Sequence, residues 1–235
     1  MKCPSLLIDC SYIYFHRSDE LNSLLKEILL TYSVYKKYCS DYRIYVTYPY
    51  RGLATEILEN TLRGTRVLVL ERSIESVVSQ IGSSKPLYLD PYSTRDLRTE
   101  ELYYFDLLIM GGVVDKPPRK RLTTNLMQMN LPWAESRRIS LRGSLVGVSA
   151  NLNIITEIIL RTLIHGDIER AIRETQPKRE AMRRAIAEIE KRKKDLGTRE
   201  AVEDLYKELS TWLNIDIVTF RRALKRAGIS RDLWI

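Results

Sequence analysis

Over its first 110 residues the chain alternates short apolar, β-branched runs with stretches whose apolar residues recur at helical spacing, and this alternation leaves few folds open. Residues 6–10, 43–48, 66–70, 86–90 and 106–110 read as buried strands. From Ser18, predicted as an N-cap, Leu21, Leu24, Leu25, Ile28, Leu29, Tyr32 and Tyr35 line one face of an amphipathic helix. Leu53–Leu62 reads as a short helix, and Ile74–Ile81 has a helical pattern. Strands separated by helices pair in parallel through right-handed crossovers, so an α/β domain is expected.

The pattern changes after Gly111-Gly112. The polar stretch Lys116-Pro117-Pro118-Arg119-Lys120-Arg121 leads into an irregular segment, a short strand predicted near 139–141, and an apolar helix predicted over 149–164 and ended by Gly166. Residues 167–175 continue helical. Pro177 marks a boundary, beyond which helices are predicted over 178–196, 199–213 and 217–227, with Gly197 and Gly228 as stops. The expected organisation is an α/β domain over 1–177 and a small all-helical module over 178–235.

Composition narrows the class. With 44% hydrophobic and 29% charged residues the chain lies in the globular range. No apolar run approaches the length of a membrane span: even residues 152–164 are broken by Glu157 and Arg161. The N-terminus runs straight into Leu6-Leu7-Ile8-Asp9, too short and acid-terminated to read as a signal peptide, so cytoplasmic placement is the expectation. Cys3, Cys10 and Cys39 include no CxxC, and His16 and His165 lie far apart; the spacing supports neither a disulfide framework nor a metal site.

Two distributions bear on ligands. The first glycine is Gly52, so the first strand cannot open into GxGxxG or a P-loop, which disfavours ordinary Rossmann enzymes and P-loop NTPases. Glycines cluster late instead, at Gly111, Gly112, Gly143 and Gly147, a pattern consistent either with tight turns or with backbone that approaches a ligand closely. Asp115 reads equally as a turn residue or as a carboxylate at a ligand crevice. Net charge is +8, and residues 116–142 carry seven basic side chains against the single acid Glu135. Such a stretch attracts a phosphate polymer through counterion release, or is simply a solvated basic face.

Taken in order, five segments point to a family: Leu7-Ile8-Asp9-Cys10-Ser11-Tyr12, Tyr88-Leu89-Asp90-Pro91-Tyr92-Ser93, Met110-Gly111-Gly112-Val113-Val114-Asp115, Leu131-Pro132, and Leu141-Arg142-Gly143-Ser144-Leu145-Val146-Gly147-Val148 before an apolar helix. Together they resemble the archaeal branch of the SPOUT-superfamily tRNA methyltransferases that modify N1 of the purine at position 9. The resemblance covers residues 5–177. It implies a parallel sheet with a C-terminal trefoil knot and S-adenosylmethionine as cofactor, held largely by backbone groups. It places the cofactor on Leu89, Asp90 and Pro91, on Met110, Gly111, Gly112 and Val114, and on Leu131, Leu141, Gly143, Ser144 and Val148. Asp115 matches the family's candidate catalytic aspartate.

The reaction implied is in-line methyl transfer from a sulfonium to a purine ring nitrogen, with the base extruded from the tRNA stack. Guanine N1 carries a proton that Asp115 would accept. Adenine N1 already offers a lone pair, leaving Asp115 to orient the amino group. Adenine is favoured, with guanine or both open. Arg119, Lys120, Arg121, Arg137, Arg138 and Arg142 are expected to contact tRNA phosphates, although Arg142 also reads as a structural partner for a carboxylate. The nine tyrosines before residue 51 read mainly as half-buried packing. His16 and His165 receive no role. Family members usually carry an N-terminal extension that grips tRNA, whereas this chain begins almost at its first strand, whether naturally short or truncated. Grip then falls to the arginines above and to Arg221, Arg222, Lys225 and Arg226. The resemblance implies a monomer with no membrane partner. The competing readings are a SPOUT enzyme for another RNA and a catalytically silent tRNA-binding subunit.

Overall fold

The computed structural model describes residues 3–114 and 121–234. A six-stranded sheet forms the centre: β1 (Ser5–Asp9), β2 (Ile44–Tyr48), β3 (Val67–Glu71), β4 (Pro86–Leu89), β5 (Leu107–Gly111) and β6 (Glu135–Arg137), in the order β3-β2-β1-β5-β4-β6. Every pairing is parallel, and the four central strands are buried almost throughout, as in sheets covered by crossover helices.

Side chains alternate between the two faces. Leu6, Ile8 and Cys10 of the β1 region, with Leu108 and Met110 of β5, pack under α1 (Ser18–Tyr38) and α5 (Leu152–His165). Leu7, Tyr88 and Ile109 point the other way, against α3 (Ile74–Ile81) and Met127 of α4 (Leu122–Asn130). Helix α2 is Leu53–Leu62. Fully buried aliphatic side chains such as Leu24, Ile28 and Leu160 each contribute roughly 1.5–3 kcal/mol.

The remaining helices are α6 (Ile168–Thr175), α7 (Lys178–Lys191), α8 (Arg199–Trp212) and α9 (Ile217–Arg226). Their buried residues, among them Ala185, Leu209 and Phe220, belong to the same continuous core as α1 and α5. Gly166 ends α5 in the left-handed conformation, at φ 69°, as the sequence predicts.

Several local expectations need correction. Ser18 is the first helical residue of α1 rather than its cap; the cap is Arg17, whose backbone N–H donates to the Glu20 carboxylate at 2.9 Å. The segment read as irregular contains α4, whose two threonines and two asparagines hide a weak apolar pattern completed by packing of Met127. The last strand lies at Glu135–Arg137 rather than near 139–141. As an edge strand it tolerates charge, while Ile139 and Leu141 are buried in the core. Cys3 and Cys39 form a disulfide, which spacing without a CxxC did not suggest; it ties the start of β1 to the end of α1. Helix α5 starts at Leu152, three residues later than predicted, where Glu27 of α1 accepts from Leu152 N–H and Asn151 Nδ2 at 2.9 Å each.

Candidate active site

Strands β5, β4 and β6 end side by side. Leu89 pairs with Met110 on one side and Arg137 on the other, so the turns that follow all leave the carboxyl edge of the sheet, where open α/β sheets form ligand crevices.

The first turn is fastened by Asp90, which is 1% exposed. Its carboxylate accepts from Tyr92 N–H at 3.0 Å and from the Thr124 hydroxyl of α4 at 2.8 Å, while its backbone N–H donates to the Arg137 carbonyl at 2.9 Å. The Ser93 hydroxyl donates to the Ser136 carbonyl at 3.0 Å. These bonds tie the turn to α4 and β6. Pro91 at its tip is exposed.

The second turn follows β5 and crosses the end of β1. Gly112 N–H donates to the Asp9 carbonyl at 2.8 Å, and a Cβ at Gly112 would lie 2.7 Å from Cys10 Sγ, so only glycine permits this approach. Val114 N–H donates to His16 Nε2 at 3.0 Å, while His16 Nδ1 faces the Ile13 carbonyl at 3.3 Å, a pattern that suits the Nδ1-protonated tautomer. His16, given no role from sequence, therefore holds the residue that immediately precedes Asp115. No local signal marks it, because its partner lies 98 positions away.

The third turn, after β6, contains the two-residue hairpin Leu141-Arg142-Gly143-Ser144. Arg142 (φ 50°) and Gly143 (φ 72°) are both left-handed, as a type I′ turn requires, and Leu141 and Ser144 exchange backbone hydrogen bonds at 2.8 and 3.2 Å. Leu145 and Val146 are partly exposed beyond it, and Val148 is half-buried.

Beside the second turn, at the end of β1, sits a carboxyl group to which the sequence pattern assigns no role. Asp9 ends β1 with no exposed surface. It accepts from the Ser11 hydroxyl at 2.6 Å, from Ser11 N–H at 3.0 Å and from the Tyr88 hydroxyl at 3.3 Å. Burial raises its pKa above the ordinary aspartate value, outweighing those bonds, and burial beside Asp9 raises the Tyr88 phenol in turn.

Of the residues expected to hold cofactor, Leu89, Asp90, Pro91, Met110, Gly111, Gly112, Val114, Gly143, Ser144 and Val148 lie on these turns or the strand ends beneath them. Leu141 opens the hairpin with its side chain buried. Leu131 does not join them. It lies just past α4, in the core of the sheet's other face, four residues before β6 begins, and so at the amino edge. Asp115, Arg119 and Lys120 lie outside the described residues.

The arginines also divide. Arg121 is exposed at the N-cap of α4. Arg138 bonds Asp96 at 2.6 Å. Arg137 points inward, contrary to the expectation of a phosphate contact: its side chain is 7% exposed and bonds Glu101 at 2.8 Å and Glu135 at 2.7 Å. The bonds from Arg137 hold the Glu101 carboxyl below its usual range. Arg142 stacks 4.4 Å from the Trp212 ring and lies 3.8 Å from Glu169. Of the nine early tyrosines only Tyr14 and Tyr50 are exposed.

Comparison with known proteins places this geometry. The family model described as tRNA (guanine(9)-N(1))-methyltransferase TRM10/TRM10A matches residues 2–181. A tRNA (adenine(9)-N1)-methyltransferase of Sulfolobus acidocaldarius is 27% identical over 190 residues, covering 80% of this chain and 60% of the relative. A tRNA (guanine(9)-/adenine(9)-N1)-methyltransferase of Thermococcus kodakarensis is 26% identical over 247 residues, covering 97% and 64%. The chain thus spans about three fifths of the length of these relatives. The crystal structure of Sulfolobus acidocaldarius Trm10 in complex with S-adenosylhomocysteine superposes with a TM-score of 0.67 at 24% identity, covering 96% of this chain and 68% of that one. The match over residues 2–181 shows that this chain belongs to the TRM10/TRM10A family.

Proposed function

We propose that the protein transfers a methyl group from S-adenosylmethionine to N1 of the purine at position 9 of tRNA, with adenine the favoured base. The observation that carries this reading is the meeting of three turns at the carboxyl edge of β5, β4 and β6 in a member of this family. The fit of the cofactor rests on the donor set. The turns offer main-chain amides and carbonyls beside the small side chains of Gly111, Gly143 and Ser144 and the apolar Val114 and Val148, which suits an adenosine and an amino-acid group held by backbone. Leu89, Met110, Gly143, Ser144 and Val148 would hold it. Bound there, S-adenosylmethionine supplies a methyl group on a sulfonium whose departure leaves a neutral thioether.

The protein's own work is alignment and exclusion of water. Such a donor would supply its methyl group to N1, the electrons of the broken sulfur–carbon bond staying on sulfur. With guanine the N1 proton must also leave, and Asp115 accepts it; with adenine the ring lone pair attacks directly and Asp115 orients the amino group. His16 steadies that residue's neighbour through Val114. Arg119, Lys120, Arg121 and Arg138 contact phosphate, joined by the exposed Arg221, Arg222, Lys225 and Arg226 of α9. Arg137 is not in this set. The chain order β4-β5-β6 against the spatial order β5-β4-β6 supports a trefoil knot formed by the turns around β4.

Titration calorimetry with S-adenosylmethionine and S-adenosylhomocysteine tests the cofactor assignment. Saturable micromolar-range binding to both is expected, and no heat with either would favour a silent RNA-binding subunit.

A further inference from the structure

The third turn hardly supports itself. Beyond its hairpin, two consecutive carbonyls are taken by side chains from the C-terminal segment, one at the α6–α7 junction and one on α7: Gln176 Nε2 donates to the Gly147 carbonyl at 2.7 Å and Arg184 Nη1 to the Val146 carbonyl at 3.3 Å. Gly147 (φ 98°) presses on the same arginine, since a Cβ there would meet Arg184 Cβ at 2.8 Å. The Trp212 ring of α8 takes two guanidinium groups, Arg142 of the turn at 4.4 Å and Arg184 at 5.2 Å. Gln176 is locked from behind, its carboxamide oxygen accepting from Asn214 N–H at 2.9 Å and its own carbonyl from Asn214 Nδ2 at 2.7 Å. Arg184 pairs with Glu188 at 3.0 Å.

Gln176 and Arg184 are each 3% exposed. Burying an amide and a guanidinium is costly unless their bonds are made, and part of those bonds exists only while residues 146–147 keep their present course. Arg142 holds a left-handed backbone that non-glycine residues disfavour, and its stack on Trp212 offsets that cost. The turn and the C-terminal helices thus fix each other.

We propose that Gln176, Arg184 and Trp212 are positioning residues that hold residues 141–148 in the shape that receives the methyl donor, so that the C-terminal helices govern cofactor affinity. The inference rests on the assignment of that turn to the cofactor.

The test compares Gln176→Glu, Trp212→Leu and Trp212→Phe with the parent chain. Gln176→Glu keeps the size and the acceptor for Asn214 but cannot donate to Gly147 when ionised. Trp212→Leu removes both stacks, whereas Trp212→Phe keeps a ring face. We expect the Kd for S-adenosylhomocysteine, and KM for the donor, to rise about tenfold in Gln176→Glu and Trp212→Leu, in line with one lost buried hydrogen bond or stack. kcat at saturating donor and the Kd for tRNA should stay near parental, Trp212→Phe should restore most of the affinity, and hydrogen exchange over 141–148 should speed up without cofactor. Parental cofactor affinity in folded Gln176→Glu overturns the proposal, as does a loss confined to kcat. If Trp212→Leu does not fold, Gln176→Glu and Trp212→Phe decide. A parent chain that binds neither cofactor form refutes the functional assignment itself, before any variant is compared.

Discussion

At the end of β1, Asp9 is fully buried beside β5 with the Tyr88 hydroxyl on its carboxylate, and its chemistry follows from that enclosure. Burial raises the carboxyl pKa above the ordinary value of 3.8. A group raised on folding contributes stability that is fully present below its unfolded pKa and lost as pH climbs through the folded one. Asp9→Asn imitates the protonated form: its carbonyl can still accept from Ser11 and its amide can donate to the Tyr88 oxygen. Its melting temperature should therefore exceed the parent's by a margin that widens as pH rises above about 4, measured by calorimetric scans across pH. A margin that shrinks with pH would show that Asp9 is buried as a stabilised anion. Asp9 is visible in the sequence as part of the first strand, but its enclosure is not. Ser11 is a local partner, whereas Tyr88 arrives 79 positions later through the β4–β5–β1 arrangement. His16 is hidden for the same reason.

At the scale of elements, the stretch from α4 through β6 shows where charge patterns mislead. Arg137 and Arg138 are neighbours that alternate across the strand end: the side chain of one is buried against part-buried Glu101 and reaches exposed Glu135, the other meets Asp96 near the surface. Composition treats them alike. Arg137→Ala should cost roughly 1–3 kcal/mol of stability by stranding part-buried Glu101, with little change in the salt dependence of tRNA binding. Arg121→Gln combined with Arg138→Gln should leave stability within about 1 kcal/mol and flatten the log–log salt slope by about 0.7–0.9 for each phosphate that is no longer neutralised. Filter binding from low to moderate salt measures the slope. An unchanged slope in the double variant would remove both residues from the RNA surface. The central strands β1, β2, β4 and β5 were legible because burial on both faces keeps their runs apolar. Charged β6 was not, since its strand character comes from the edge of β4, and neither was α4, whose fold depends on Met127 reaching the core.

For the whole molecule, parallel order brings to one edge segments separated by up to about fifty residues in sequence, from Leu89 to the hairpin at Leu141. The late glycines marked two of the three turns because backbone approach and left-handed conformations demand glycine, at Gly112 and Gly143. What the sequence could not show is how the helical C-terminal segment closes on the third turn, since Gln176, Arg184 and Trp212 carry no pattern of their own. Nor did it show the Cys3–Cys39 link. The central claim is methyl transfer to one nitrogen of one tRNA purine. Incubating the purified chain with S-adenosylmethionine and unmodified tRNAs bearing A or G at position 9, then mapping the product by nuclease digestion and mass spectrometry, tests it directly. A single added methyl at N1 of the position 9 purine, most readily on adenine, is predicted; unmodified tRNA despite bound cofactor, or a methyl at another nucleotide, would contradict it.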